Sequence, residues 1–381
     1  MKCSLKIYRG SDVEVITGDA PANDHESQLV ICMGSKTNLA NKPLLDTIRQ
    51  TFPKAHTAFC STSGEIYNNE VLDDTIVATV LEFEHTTIRT AMVNISSFDT
   101  SKAAAIALAK LLPADGLRYV MVFSDGGKVN GSELVKGLNE GTAADVLVTG
   151  GLAGDGTAFQ STLVGLDNYP EEGNILAVGF YGDRLVVSHG SMGGWESFGP
   201  ERIVTKSNGN KLYEIDGKSA LSLYKTYLGE EAKNLPASAL LFPLSILTPE
   251  YEKPVVRTIL SISEEEGSMT FAGDVPVGAK ARFMKANFDK LTSAAYDAAS
   301  QTMRDQSAKP VWALLVSCVG RKIILGPRTE EEVEAVREFY GPSTLLSGFY
   351  SYGEISPLIE DPSGCAFHNQ TMTITSFHEL Q

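Results

Sequence analysis

The sequence predicts a mixed α/β fold built from two similar halves, and three observations carry that expectation. Short apolar runs alternate with helix-period stretches through the first two hundred residues. From Thr157 to Ser188 the strand-like runs follow one another with only turn signals between them, so part of the sheet must be antiparallel. A short segment of the first half, Cys60-Ser-Thr-Ser-Gly-Glu-Ile66, is echoed in the second by Phe349-Tyr-Ser-Tyr-Gly-Glu-Ile355.

Taken in order, strands are expected over residues 29–33, 57–60, 75–83, 88–95, 119–123, 146–149, 161–166, 174–181 and 184–188. Asp99-Thr100-Ser101 can cap a helix over 102–112 that Pro113 stops, and Asn130 or Ser132 can open a second helix to Leu138. Asn208-Gly209 between two strand-like runs reads as a two-residue hairpin, because a type I′ turn needs positive φ at both central positions. Helices over 218–227, 288–304 and 330–339 then alternate with strands over 255–262, 312–317, 344–350 and 367–375. The apolar run 239–247 reads as one core strand. The expected division is an N-terminal segment, 1–27, and two domains, 28–216 and 217–381.

Composition narrows the function. The 381 residues hold 47 acidic and 32 basic side chains, for a net charge of −15, which argues against nucleic acid. No apolar run is long enough to span a membrane, and the N-terminus has no secretory pattern, so a cytoplasmic location is expected. Five cysteines, widely spaced and without a Cys-x-x-Cys pair, suggest neither a disulfide framework nor a structural zinc site. The acidic surface suits solubility or a basic partner, and a homo-oligomer stays open.

Catalytic signatures fail one by one. Gly150-Gly-Leu-Ala-Gly-Asp-Gly156 has its glycines in the wrong order for a dinucleotide loop, and Asp125-Gly-Gly-Lys128 is followed by Val129, which offers no hydroxyl for magnesium. No nucleophile elbow or close-spaced histidine pair occurs. Loops at strand ends remain. Gly151, Gly154 and Asp155 can form a ligand loop or a tight turn; Ser61, Thr62, Ser63, Gly64 and Glu65 suit a small polar molecule or a helix cap. Cys60 has no basic flank and reads as a buried thiol. Tyr350, Tyr352, Glu354, His368 and Asn369 form a dense polar stretch, and Arg321 can fork a carboxylate or pair with an acid of the protein.

These segments resemble the FIST family of sensory modules, whose N-terminal half looks like Cys60–Ile66, Phe123-Ser-Asp-Gly126, Gly150–Asp155 and Leu212-Tyr-Glu-Ile-Asp216. Its C-terminal half looks like Ser317-Cys-Val-Gly-Arg321, Gly348–Ile355 and Phe367-His-Asn-Gln-Thr371. The resemblance implies ligand sensing, no catalysis, and a signalling output in trans, for which a histidine kinase is the expected partner. One branch of the family, the bacterial nitric-oxide sensors, binds haem. For haem b the first axial candidate is His189, beside Met192 and Trp195, and the second is His368. An amino-acid or other metabolite sensor, using Arg321 and Glu354 for the ligand's charges, is the alternative, and an enzyme using Glu65, Glu354 or His368 is the third.

Overall fold

The computed structural model describes residues 1–10, 12–17, 22–235, 237–248, 253–304, 308–358 and 364–380. Its strands sort into three six-stranded sheets that share a five-strand order and one eight-stranded sheet. Each six-stranded sheet centres on two parallel neighbours joined through helix. These are Leu29–Gly34 with His56–Ser61, Leu117–Ser124 with Leu147–Leu152, and Trp312–Cys318 with Leu345–Ser351.

An antiparallel strand lies against the first member of each pair: Ile76–Glu82, Asn174–Tyr181 and Met372–Glu379. Outside it runs a further antiparallel strand: Lys2–Arg9, Thr87–Asn94 and Leu185–Met192. The echo detected in the sequence therefore goes one step beyond duplication, to three units. The segment 1–27 is not separate from the first of them, since Lys2–Arg9 is a strand of its sheet.

The units exchange strands cyclically. Glu65–Tyr67 leaves the first unit and pairs with Leu345–Ser351 of the third. Gly353–Pro357 leaves the third and pairs with Leu147–Leu152 of the second, and Val164–Leu166 of the second pairs with His56–Ser61 of the first. Each unit thus completes another's sheet, which makes the three a single cooperative body.

One core lies inside the three sheets. Tyr119, Phe123, Phe180, Trp312, Phe349 and Phe377 meet there from two of the units, with Cys60, Met33 and Tyr67 from the first. Trp312 stacks on Phe377 with centroids 4.5 Å apart. Helices cover the outer faces: Lys42–Thr51 on the first sheet, Ser101–Lys110 and Gly131–Gly141 on the second, Phe288–Gln301 and Thr329–Tyr340 on the third. Their apolar faces pack on outward-facing strand residues in a separate cluster for each unit.

Between Met192 and Phe288 the chain departs to form the antiparallel eight-stranded sheet, with its own core around Tyr224, Phe271 and Phe283. The expected Asn208-Gly209 hairpin joins Glu196–Asn208 to Lys211–Ile215 within it. The expected strand over 239–247 is instead a 3-10 turn, Ala237–Leu241, followed by Leu244–Leu247, because Pro243 interrupts it. The expected strand over 367–375 is also broken into Cys365–His368 and Met372–Glu379. Gln370, at φ +62°, lies in the bend between them. No helix among the described residues is long and apolar enough to cross a membrane.

Candidate functional site

The three strand exchanges meet in a ring. Ser63 N–H donates to the Tyr350 carbonyl at 2.8 Å, Tyr352 N–H to Leu152 at 3.1 Å, and Gly154 N–H to Ser61 at 2.9 Å. Donor and acceptor are two residues apart in every unit, so Thr62, Ser351 and Ala153 are equivalent positions. So are Glu65, Glu354 and Gly156. Eleven of the residues singled out in the sequence sit on or beside this ring: Ser61, Thr62, Ser63, Gly64, Glu65, Gly151, Gly154, Asp155, Tyr350, Tyr352 and Glu354.

In the first and third units the turn is closed by a buried carboxyl. Glu65 accepts from Thr75 N–H at 3.1 Å and Thr75 Oγ1 at 2.7 Å, and it bonds to Thr62 Oγ1. Glu354 accepts from Ser351 Oγ at 2.7 Å, Thr371 Oγ1 at 2.8 Å and Thr371 N–H at 3.2 Å. Burial pushes each carboxyl up to about 7 despite these donors. The second unit has no such carboxyl. After Gly154 its chain runs out as a loop before rejoining the sheet at Val164–Leu166.

Where that loop departs, a cleft of about 310 Å³ opens between the ring and the inserted sheet. One wall is the turn 126–131 leading into helix Gly131–Gly141, together with Leu152, Tyr352 and Phe159; the other is Asn210, Leu260 and 271–273 of the insert. Phe159 stacks on Tyr352 at 4.7 Å with rings 17° apart. The Tyr352 hydroxyl bonds to Asp155, which also accepts from Ser161 N–H at 2.9 Å and Gln160 N–H at 3.0 Å. Although burial opposes it, these hydrogen bonds hold Asp155 below the usual carboxylate range.

Phe159 and Leu260, 52% and 50% exposed, face water at the mouth. Phe159 also adopts φ +50°, a conformation costly for an aromatic residue. Between this cleft and a second one, of about 400 Å³, buried Arg257 ties the insert to the body. Its guanidinium donates to the Phe367 carbonyl at 2.9 Å and the Asp274 carbonyl at 3.1 Å.

Several expected roles are corrected. Arg321 is fully buried and bonds Glu332 at 2.8 Å and the carbonyls of Gly193 and Leu291 at 2.6 and 2.7 Å, so no donor is left to fork a ligand. Tyr350 donates to the same Glu332 at 2.8 Å. Glu354, enclosed by Ser351 and Thr371, lines none of these clefts and cannot meet a ligand's charge.

His368 edges the 400 Å³ cleft, but its Nε2 lies 2.9 Å from the Ser356 carbonyl oxygen and must donate to it. That nitrogen is therefore taken by the backbone. His189 is mostly buried opposite Thr375, and burial holds it down to about 4. Its Nδ1 has no partner among the described residues, yet the residue lines neither cleft. The two histidines do not fit a haem site. Asn369 is buried beside His368, with its Nδ2 donating to the His368 carbonyl and its Oδ1 unpaired among the described residues.

The sequence reading missed Phe159, the insert's wall and the turn 126–131. The last fails as a phosphate loop, and its glycines, free of a Cβ, are the signal that marks it.

The geometry defines a class: an α/β module with a small cleft between its body and an inserted sheet. Residues 28–218 match the FIST N domain and residues 220–357 the FIST C domain, so the chain belongs to the FIST family. FIST domains are signalling-associated, small-ligand-sensing domains. The junction between the two matched regions falls within the inserted sheet, which both halves build.

No curated protein matches the sequence. Similar solved structures include a chorismatase, at 10% identity and TM-score 0.39 over 98% of each chain. A cyanuric acid hydrolase from A. caulinodans is similar at 6% identity and TM-score 0.37, over 94% of this chain and 92% of that one. Similarity this distant carries no activity to the present chain.

Proposed function

We propose that this protein senses a small flat molecule with an apolar body, bound in the 310 Å³ cleft, and reports it in trans to a signalling protein such as a histidine kinase. The observation that carries the reading is Phe159: an exposed aromatic ring held at positive φ, stacked on Tyr352 and facing Leu260 across the opening. Strain of this kind concentrates at functional sites, and the volume suits a ligand of metabolite size.

A ligand touching both walls would favour one placement of the insert against the body. The Arg257 contacts lie on that joint, and the shift can be no larger than the ligand's difference in affinity for the two placements. A partner would read the placement.

The test is a thermal-shift screen of aromatic and heterocyclic metabolites, followed by calorimetry on the wild type and Phe159→Ala. Saturable binding that Phe159→Ala weakens at least about tenfold, the loss of one stacking contact, supports the reading. An absorption spectrum of the same preparation decides the haem alternative. A Soret band with saturable haem binding would displace the present proposal.

A further inference from the structure

The pseudo-threefold ring gives each cleft-forming residue two internal controls. Just beyond the first parallel strand of every unit stands a lysine: Lys36 after Leu29–Gly34, Lys128 after Leu117–Ser124, and Lys322 after Trp312–Cys318. Two of them reach across to the next unit in the ring. Lys322 Nζ donates to the Ser63 carbonyl at 3.0 Å and pairs with Asp73, clasping the third unit to the turn of the first. Lys36 Nζ bonds Ser161 Oγ on the loop of the second unit, clasping the first to the second.

By the same rotation Lys128 should reach the third unit's turn at Tyr352. It pairs instead with Glu172 of its own unit at 2.8 Å, and the space it would have crossed is the cleft. Among the described residues lining that cleft, Lys128 is alone in carrying a charge, in a protein whose net charge is −15.

Its present pairing is weakly held. The Lys128 side chain is 57% exposed, and exposed ion pairs contribute little. Glu172 would not be stranded by its departure, because its side chain is itself 40% exposed to water and Lys36 is a further neighbouring cation.

We propose that the ligand of this cleft is an aromatic carboxylate: its ring packs against Phe159, and Lys128 leaves Glu172 to meet its carboxylate, completing the third clasp through the ligand. This rests on the cleft being the sensor site and adds the charge of what it takes. Asn130 and Asn210 line opposite walls, each already bonded within the protein, Asn130 to Glu133 N–H and Asp274 and Asn210 to the Phe271 carbonyl.

The test is calorimetry with matched pairs: benzoate and benzamide, 4-hydroxybenzoate and its amide, indole-3-carboxylate and its amide. The proteins are the wild type, Lys128→Met, Glu172→Gln and Phe159→Ala. One charge-assisted hydrogen bond predicts that the wild type prefers a carboxylate by about tenfold or more, and that Lys128→Met brings the pair within about twofold while leaving the amide's affinity unchanged. Glu172→Gln, which frees the lysine, should tighten the carboxylate alone. Equal binding of acid and amide, or a preference that survives Lys128→Met, overturns the carboxylate assignment and leaves the cleft reading standing. So does binding of other metabolites through Phe159 with none of these acids bound. If no small molecule binds in a way that Phe159→Ala alters, both readings fall.

Discussion

Three turns occupy equivalent places around one ring of backbone hydrogen bonds, and they have met different fates. In the first and third units Thr62 with Glu65, and Ser351 with Glu354, fold the turn onto a buried carboxyl. In the second, Ala153 and Gly156 stand at those positions, the carboxyl is gone, and the chain runs outward to Phe159. The comparison teaches that closure and opening are side-chain decisions made on a shared backbone. The same ring is closed on a buried carboxyl twice and opens beside a cleft once.

The largest effect should come from breaking the closed third turn at its support. Arg321 neutralises Glu332 in full burial and donates to two carbonyls, so Arg321→Ala leaves a buried charge unpaired. A loss of about 3–5 kcal/mol in urea unfolding is expected. A loss under about 1 kcal/mol would mean that the cluster is solvated and that the turn's closure depends on it little.

Next come the carboxyls themselves. Glu65→Ala and Glu354→Ala each strand buried donors of a threonine, and each should cost about 2–3 kcal/mol. The two values should agree within about 1 kcal/mol if the turns are true equivalents.

These locks were partly legible. The Gly-Glu-Ile echo marked both carboxyl turns, and the apolar runs placed most strands of the three sheets, because buried strands announce themselves locally. The third repeat was not legible, since its turn carries Gly156 where the others carry a glutamate and runs into a loop, so the motif is absent while the backbone ring is present. Arg321 takes the second of its two readings, an acid of the protein, and Tyr350 turns to the same acid: a polar cluster read from sequence looks alike whether it faces a ligand or Glu332, and only burial separates the two. Strand exchange was likewise hidden, because a sheet's neighbours come from distant segments.

A pH series sharpens the comparison. Glu65 and Glu354 titrate higher in the fold than in the unfolded chain, so their contribution is complete below pH 4.5 and is lost as pH rises towards 7. The fully buried His368 and the mostly buried His189 are both held down to about 4. Their contribution is complete above pH 6.5 and is lost as pH falls towards 4. The two slopes oppose each other between pH 4.5 and 6.5, and the wild type should be nearly flat there. Glu65→Gln with Glu354→Gln removes one slope, so stability should then rise across that window. The change is up to about 3 kcal/mol per carboxyl. A double variant as flat as the wild type would show that the carboxyls are ionised in the fold.

Gly154 tests the ring at its open turn. A Cβ there would sit 2.3 Å from Ser63 Oγ and 3.0 Å from Ser63 N, so Gly154→Ala forces a side chain and then the ring bond to give way. A loss of about 1–3 kcal/mol is expected, with the cleft's affinity reduced alongside it. Unchanged affinity would uncouple ring and cleft.

The smallest expected effect on stability is also the most telling about function. Phe159 is half exposed and strained, so the fold gains its stacking on Tyr352 and loses the cost of positive φ for an aromatic residue. Phe159→Asn removes both terms, because asparagine tolerates that conformation, and stability should stay within about 0.5 kcal/mol of the wild type. Binding in the cleft should nevertheless be lost, since the ring that packs on the ligand is gone. A residue kept for the fold would show the reverse: a clear loss in thermal unfolding with affinity intact. That outcome would turn the open turn into a third lock built by other means, with Phe159 in place of the missing glutamate.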